Sequence, residues 1–68
     1  MAYYYVNQNE QSNGDHEVHE RDCYKLPAEE NRIYLGWFTS CVDAVKAANQ
    51  HYRQSNGCYH CSRACHTG

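Results

Sequence analysis

Aliphatic side chains are scarce in this chain. The Val, Leu and Ile residues are confined to Val6, Val18, Leu26, Ile33, Leu35, Val42 and Val45. Hydrophobic residues make up 41% of the sequence, but seven Tyr and five Cys account for much of that share. With 68 residues the sequence has room for one domain, spanning 1–68, and none for a second. Domains of this size bury only about 60% of their unfolded surface. A core so small rarely supplies more than about 3–5 kcal/mol, so a metal, disulfides or a partner is expected to complete it.

Long apolar runs are missing too. No stretch approaches the ~18 apolar residues of a membrane-spanning helix, and none is expected. The start, Met1-Ala2-Tyr3-Tyr4-Tyr5-Val6, has neither the basic opening nor the apolar run of a signal peptide. The expected location is therefore the cytoplasm. In a reducing cytosol clustered cysteines are more often metal ligands than disulfides. The odd cysteine count agrees, since full pairing would leave one thiol over. Basic residues are also few, six against eight acidic ones, for a net charge of −2. Arg21, Lys25, Arg32, Lys46, Arg53 and Arg63 are scattered and form no basic stripe. That weighs against autonomous nucleic-acid binding, whose affinity comes mainly from Lys and Arg neutralising phosphates.

What is present reads as an α+β fold. The β-forming residues at 3–7, the segment at 15–19 and the run Arg-Ile-Tyr-Leu-Gly-Trp-Phe at 32–38 predict a three-stranded antiparallel sheet. Gly36, inside the third run, marks an expected bulge or close backbone approach. Cys41, Val42, Ala44, Val45, Ala48 and Tyr52 recur at helical spacing, which predicts one helix over about 41–52. Ser40 precedes it, and Asp43 follows Ser40 three positions on, as in a capping box. Gln-Ser-Asn-Gly occurs twice, at 11–14 and 54–57; both copies read as turns that aim the following backbone. Ser62 to Cys65 reads as one further helical turn.

Most of the five Cys and five His residues crowd into two segments, His16–Cys23 and Cys58–His66. Cys58-Tyr59-His60-Cys61 is a Cys-x-x-Cys knuckle, and His19 and Cys23 form a His-x-x-x-Cys. Two such pairs, far apart in sequence, suit one tetrahedral zinc site that closes the fold on itself. Cys23, Cys58 and Cys61 are the leading ligands and His19 the fourth. Cys65 is the main rival to His19, with His16 and His66 behind it. Cys41, among apolar neighbours at the expected helix start, reads as a buried thiol, and His51 and His60 read as surface residues. A redox role for the Cys-x-x-Cys is disfavoured, because a thioredoxin-like fold needs a longer chain.

The arrangement resembles the zinc-binding N-terminal domain of Ada-type DNA alkylation-repair proteins and the small zinc modules attached to some bacterial nucleases. That pattern has a Cys- or His-x-x-x-Cys knuckle after a strand, then a strand, an S-x-x-E-A helix start and a final Cys-x-x-Cys. The matching residues here are His19 and Cys23, Tyr34 to Phe38, Ser40-Cys41-Val42-Asp43-Ala44, and Gly57-Cys58-Tyr59-His60-Cys61. The chain is also similar, over nearly its whole layout, to short stand-alone bacterial proteins of unknown function. The resemblance implies the fold and a zinc site. It does not imply methyl transfer. The acceptor in the Ada-type domain is a zinc-bound cysteine, and His19 stands at the matching position, where an imidazole offers no thiolate.

A catalytic zinc keeps an open coordination position, and four Cys/His ligands would leave none. Glu17, Glu20 and Asp22 flank the site and would serve as bases only if three ligands bound. The sequence therefore predicts a structural zinc-binding module, without catalysis, acting as an adaptor for a protein partner through exposed tyrosines and Trp37. Two alternatives remain in view: weak single-stranded nucleic-acid binding by aromatic stacking, and metal buffering or sensing if surplus ligands such as Cys65, His66 and His16 take a second ion.

Overall fold

The computed structural model describes residues 2–67. Strands β1 (Ala2–Asn7), β2 (His16–Glu20) and β3 (Arg32–Phe38) are followed by helix α1 (Cys41–Ala48) and strand β4 (Ser55–Gly57). Single 3-10 turns cover Glu29–Asn31 and Arg63–Cys65. The sheet order is β3-β1-β2-β4. β1 is antiparallel to both β2 and β3, whereas β4 runs parallel to β2. The α+β class holds, and the sheet has one strand more than expected and is mixed.

Alternation along β1 explains the two faces of the sheet. Tyr4 and Val6 point to one side and are buried with Val18 of β2. Ala44 and Ala48 of α1 close over them, and Ile33, Leu35, Phe38, Val45 and Tyr52 pack around the cluster. Small alanines let the helix backbone approach the sheet, which is how a chain short of aliphatics still makes a dry centre. The tyrosine ring of Tyr4 supplies volume that Leu or Ile would supply elsewhere.

Gly36 does mark a bulge. Tyr4 pairs with Gly36, but Tyr5 pairs with Tyr34, so Leu35 is the extra residue on β3. Gly36 has φ +128, a conformation that side chains other than glycine's rarely adopt. The inserted residue resets the alternation. Leu35 and Phe38 both reach the core while Trp37 points away from it. On that far face the cross-strand pairs Tyr3–Trp37 and Tyr5–Tyr34 form a strip of rings. The Arg21 guanidinium lies 5.2 Å from the centre of the Tyr3 ring, and that of Arg32 4.8 Å from the centre of Tyr5.

Three local expectations are corrected. The helix ends at Ala48, not near Tyr52, because tighter bonds from the Gln50 and His51 amides to the Ala47 and Ala48 carbonyls replace the helical pattern. Ser40 occupies the N-cap with extended backbone, but its hydroxyl makes no capping bond. The second Gln-Ser-Asn-Gly is not a turn: Ser55-Asn56-Gly57 is β4, paired with His16, Glu17 and Val18. The first copy does turn, at Gly14 with φ +92. The two copies meet. Gln54 donates from Nε2 to Asp15 Oδ1 at 2.7 Å and to the Asn13 carbonyl at 3.0 Å. Asn56 Nδ2 donates to Asp15 Oδ2 at 3.2 Å. These bonds hold the Asp15 carboxyl below its ordinary range, Gln54 contributing most, and they align β4 beside β2.

Gly57 is the tightest point of this assembly. A Cβ there would lie 2.7 Å from the Ser62 carbonyl oxygen and 2.8 Å from Cys65 Cβ. Backbone cannot yield as a flexible side chain can. Gly57→Ala is therefore expected to destabilise the fold by about 1–3 kcal/mol, measured as a lower denaturation midpoint, whereas Ser55→Ala should cost less.

Candidate metal centre

The parallel pairing of β2 and β4 builds the site. Both strands run the same way, so the chain leaves both at the same end of the sheet. The Cys58 amide donates to the Val18 carbonyl at 2.9 Å, extending the ladder by one bond. His19 and Cys58 are thereby set side by side. From β2 the chain turns at once, with the Cys23 amide bonded to the Glu20 carbonyl at 3.0 Å, and brings Cys23 back over His19. From β4 it turns through the bond from the Ser62 amide to the Cys58 carbonyl at 2.8 Å, which returns Cys61.

The result is a compact donor cluster. One ligand atom from each of His19, Cys23, Cys58 and Cys61 lies within 4.8 Å of the other three. Cys23 and Cys58 sulfurs are 3.9 Å apart, and Cys23 Sγ is 3.7 Å from His19 Nδ1. A tetrahedral ion with metal–sulfur bonds of about 2.3 Å has sulfur–sulfur edges of about 3.8 Å and slightly shorter sulfur–nitrogen edges. These two distances fit such a polyhedron. Cys58 and His19 are each 1% exposed.

The surroundings suit thiolates. Each sulfur accepts a backbone N–H: Glu20 to Cys61 at 3.3 Å, Lys25 to Cys23 at 3.4 Å and His60 to Cys58 at 3.4 Å. Hydrogen bonds of this kind favour the charged form of sulfur. Burial works the other way. It raises the Cys58 pKa, and it pushes Cys61, with help from the neighbouring Cys23 thiol, up to about 12. Alone, Cys58 and Cys61 stay protonated and are poor nucleophiles. A bound cation would supply the missing compensation, with His19, Cys23, Cys58 and Cys61 as the residues placed to hold it.

His19 completes the set. Burial lowers its pKa despite the nearby Glu17 carboxylate, so the ring is neutral and has a lone pair to give. Its Nε2 is buried without a hydrogen-bond partner, and the nearest acid, Glu17 Oε1, is 3.6 Å away. With Nδ1 facing the sulfurs, Nε2 carries the proton toward Glu17. A carboxylate bonded to the far nitrogen of a ligating histidine orients the ring and raises its basicity; at 3.6 Å Glu17 stands just short of that bond.

The structure does not bring the rival ligands to the cluster. Cys65 forms a disulfide with Cys41, their Cα atoms 6.2 Å apart. This corrects both expectations for these residues: Cys65 has no sulfur free to ligate, and Cys41 is not a lone buried thiol. His16 stacks on Tyr52, with ring centres 3.8 Å apart, and its Nδ1 faces the Asn7 carbonyl. His66 bonds through Nδ1 to the Gly57 carbonyl at 3.0 Å. His60 and His51 are exposed, His60 meeting the Tyr24 hydroxyl at 2.9 Å. The signal for the disulfide lay in the odd count. Three cysteines with one histidine fill a tetrahedral site, and two cysteines are left to pair.

Compared with family models, curated proteins and solved structures, the chain matches none. The site is therefore read from its own geometry.

Two sets of outcomes follow. Cys58→Ser and Cys61→Ser should each lose stoichiometric metal, whereas Cys41→Ser should keep one ion per chain at micromolar protein. Glu17→Gln should weaken metal binding by about 10-fold or more without changing the stoichiometry, as read by competition with a coloured chelator. Protons compete for raised-pKa thiols across the whole range below about 12, so metal affinity should climb with pH. It should fall more steeply once His19 itself begins to protonate, below the ordinary imidazole pKa of 6.5.

Proposed function

We propose that this chain is a structural zinc-binding module, without catalysis, that presents a surface to a protein partner in the cytoplasm. The observation that carries the reading is the Cys3His cluster itself, assembled at the sheet end from both halves of the chain. Three thiolates and an imidazole are a soft, tetrahedral donor set suited to zinc. Four protein ligands leave no position for a reacting water, which supports a structural role over a hydrolytic one. The layout of strand, knuckle, helix and Cys-x-x-Cys supports kinship with the Ada-type zinc-binding domain. His19 in place of an acceptor cysteine removes the methyl-transfer chemistry. No helix among the described residues is long and apolar enough to cross a membrane.

The contact surface in this reading is the far face of the sheet, with Tyr3, Tyr34 and Trp37 between 42% and 56% exposed. Aromatic and Arg side chains are the residues protein interfaces favour. The cations held on this face are Arg21, over the Tyr3 ring, and Arg32, over the Tyr5 ring. With a net charge of −2 and six scattered Lys and Arg residues, the chain offers a phosphate backbone little to bind.

Native mass spectrometry of the purified chain tests the zinc assignment: one zinc per chain is expected. Chelation should abolish the folded circular-dichroism signature, because metal binding and folding are a single equilibrium in domains this small. A chain that carries no zinc and keeps its spectrum in excess chelator would remove the reading.

A further inference from the structure

The Cys41–Cys65 disulfide is the one chemically reactive bond that the zinc reading does not use. Its position is specific. Cys41 is the first residue of α1 and Cys65 the last of the 3-10 turn at Arg63–Cys65. The loop it closes spans 24 positions and contains β4 together with Cys58 and Cys61, two of the four metal ligands. Both of its cysteines are half-buried, whereas Cys23 and Cys58 are buried.

The tail that Cys65 anchors is built against the metal segment. Ser62, 3% exposed, bonds through its amide to the Cys58 carbonyl at 2.8 Å, and the Cys65 amide bonds to the Ser62 carbonyl at 2.9 Å. Cys65 Cβ packs on Gly57, the residue before Cys58, so closely that no side chain fits between them. Beyond it, the Thr67 amide donates to Asn56 Oδ1 at 2.9 Å, and Asn56 Nδ2 donates back to the Thr67 carbonyl at 2.8 Å. The tail thus lines the back of β4, and the disulfide ties it to the start of the helix.

We propose that Cys41–Cys65 is a thiol–disulfide exchange site whose redox state sets how tightly the metal centre holds its ion. The inference rests on the zinc reading above. Its reactants are thiols of small molecules or of a dithiol protein. A thiolate attacks Cys65 Sγ, a bond forms between the two sulfurs, and the Cys41–Cys65 bond breaks. Cys41 leaves as thiolate among the free amides at the start of α1, where negative sulfur is favoured. A second reductant thiol then displaces Cys65. The balance is one protein disulfide plus two thiols giving two protein thiols and one reductant disulfide; the protein gains two electrons and two protons. In a reducing cytosol disulfides are usually transient, catalytic or sensing, which fits an exchange site better than a permanent staple.

The coupling is thermodynamic. A cross-link of this loop size shifts a folding equilibrium by about 30- to 1000-fold. Metal binding draws on that same equilibrium, so reduction weakens the ion's hold. By linkage, the ion makes the disulfide harder to reduce by the same factor.

Two measurements test this on the full chain. Zinc affinity is compared, by chelator competition, between the oxidised protein and a Cys41→Ser/Cys65→Ser double variant. The variant is expected to bind one zinc at least about 10-fold more weakly. The wild-type protein is then equilibrated in a dithiol/disulfide buffer with and without one equivalent of zinc, and the Cys41–Cys65 bond is scored by alkylation and mass spectrometry. Zinc should shift that equilibrium toward the disulfide by a matching factor. This second arm needs no variant, so it decides the question even if the double variant fails to fold. Equal affinities in both forms, a redox equilibrium indifferent to zinc, or a bond that never exchanges with dithiol would each overturn this inference and leave the zinc module standing. Failure of the oxidised wild-type chain to bind zinc would overturn both.

Discussion

The fold depends on the pairing of β2 with β4. Three residue pairs suffice, His16 with Ser55, Glu17 with Asn56 and Val18 with Gly57, because their direction matters more than their length. In an antiparallel pair the chain would leave the two strands at opposite ends, and His19 would be a full strand away from Cys58. Parallel pairing sends both segments off the same end of the sheet, so one ion can bind the two pairs. A three-residue parallel pair at a sheet edge is weak by itself. The Asp15 carboxylate, by gathering Gln54 and Asn56, holds one end; the Cys58–Val18 backbone bond lies at the other, where an ion in the donor cluster would hold it.

The donor set was legible because ligand chemistry constrains spacing more tightly than strands do. Cys58 and Cys61 must sit three apart for one knuckle to turn both sulfurs inward, and no such rule reveals β4. Asn56-Gly57 carries a strong turn signature. Here its glycine serves a different need: the tail packs on its backbone where a Cβ would collide. The bulge at Leu35–Gly36 was legible since a glycine inside an aromatic strand has few other uses. The disulfide was obscured by the preference for ligand over disulfide in a reducing compartment. That preference is an average over compartments and chains. The local count of three cysteines plus His19 was the better guide.

The aromatic residues divide by face. Tyr4 is 4% exposed and forms the core with valines and alanines, while Tyr3, Tyr34 and Trp37 occupy the opposite side of the same strands. Scarcity of aliphatics accounts for the first group and not the second. Of the exposed rings, Tyr3, Tyr24 and Tyr59 carry Arg21, Lys25 and Arg63 over them, and Arg32 lies over half-buried Tyr5, while among the described residues Tyr34 and Trp37 have no such cation. Contacts of this sort on exposed rings contribute about 0.5–1 kcal/mol each. They also hold the guanidinium groups in fixed positions, so the surface is partly preorganised for whatever meets it.

A chain with so few core residues is left with cross-links as its main source of stability; it has a disulfide and a donor cluster that would form a second cross-link on binding an ion. The disulfide joins α1 to the tail within the second half of the chain. An ion in the donor cluster would join that half to the first, through His19 and Cys23. Their loops overlap at Cys58 and Cys61, so neither can loosen without disturbing the segment the other holds. Burial alone would make the two cross-links add as separate terms. Overlap makes them interdependent: Gly57 lies against Cys65 on one side and leads into Cys58 on the other. In a larger domain a surrounding core would damp such a connection. Here the dry cluster is five residues, Tyr4, Val6, Val18, Ala44 and Ala48, and none of them lies between the disulfide and the donor atoms along this path.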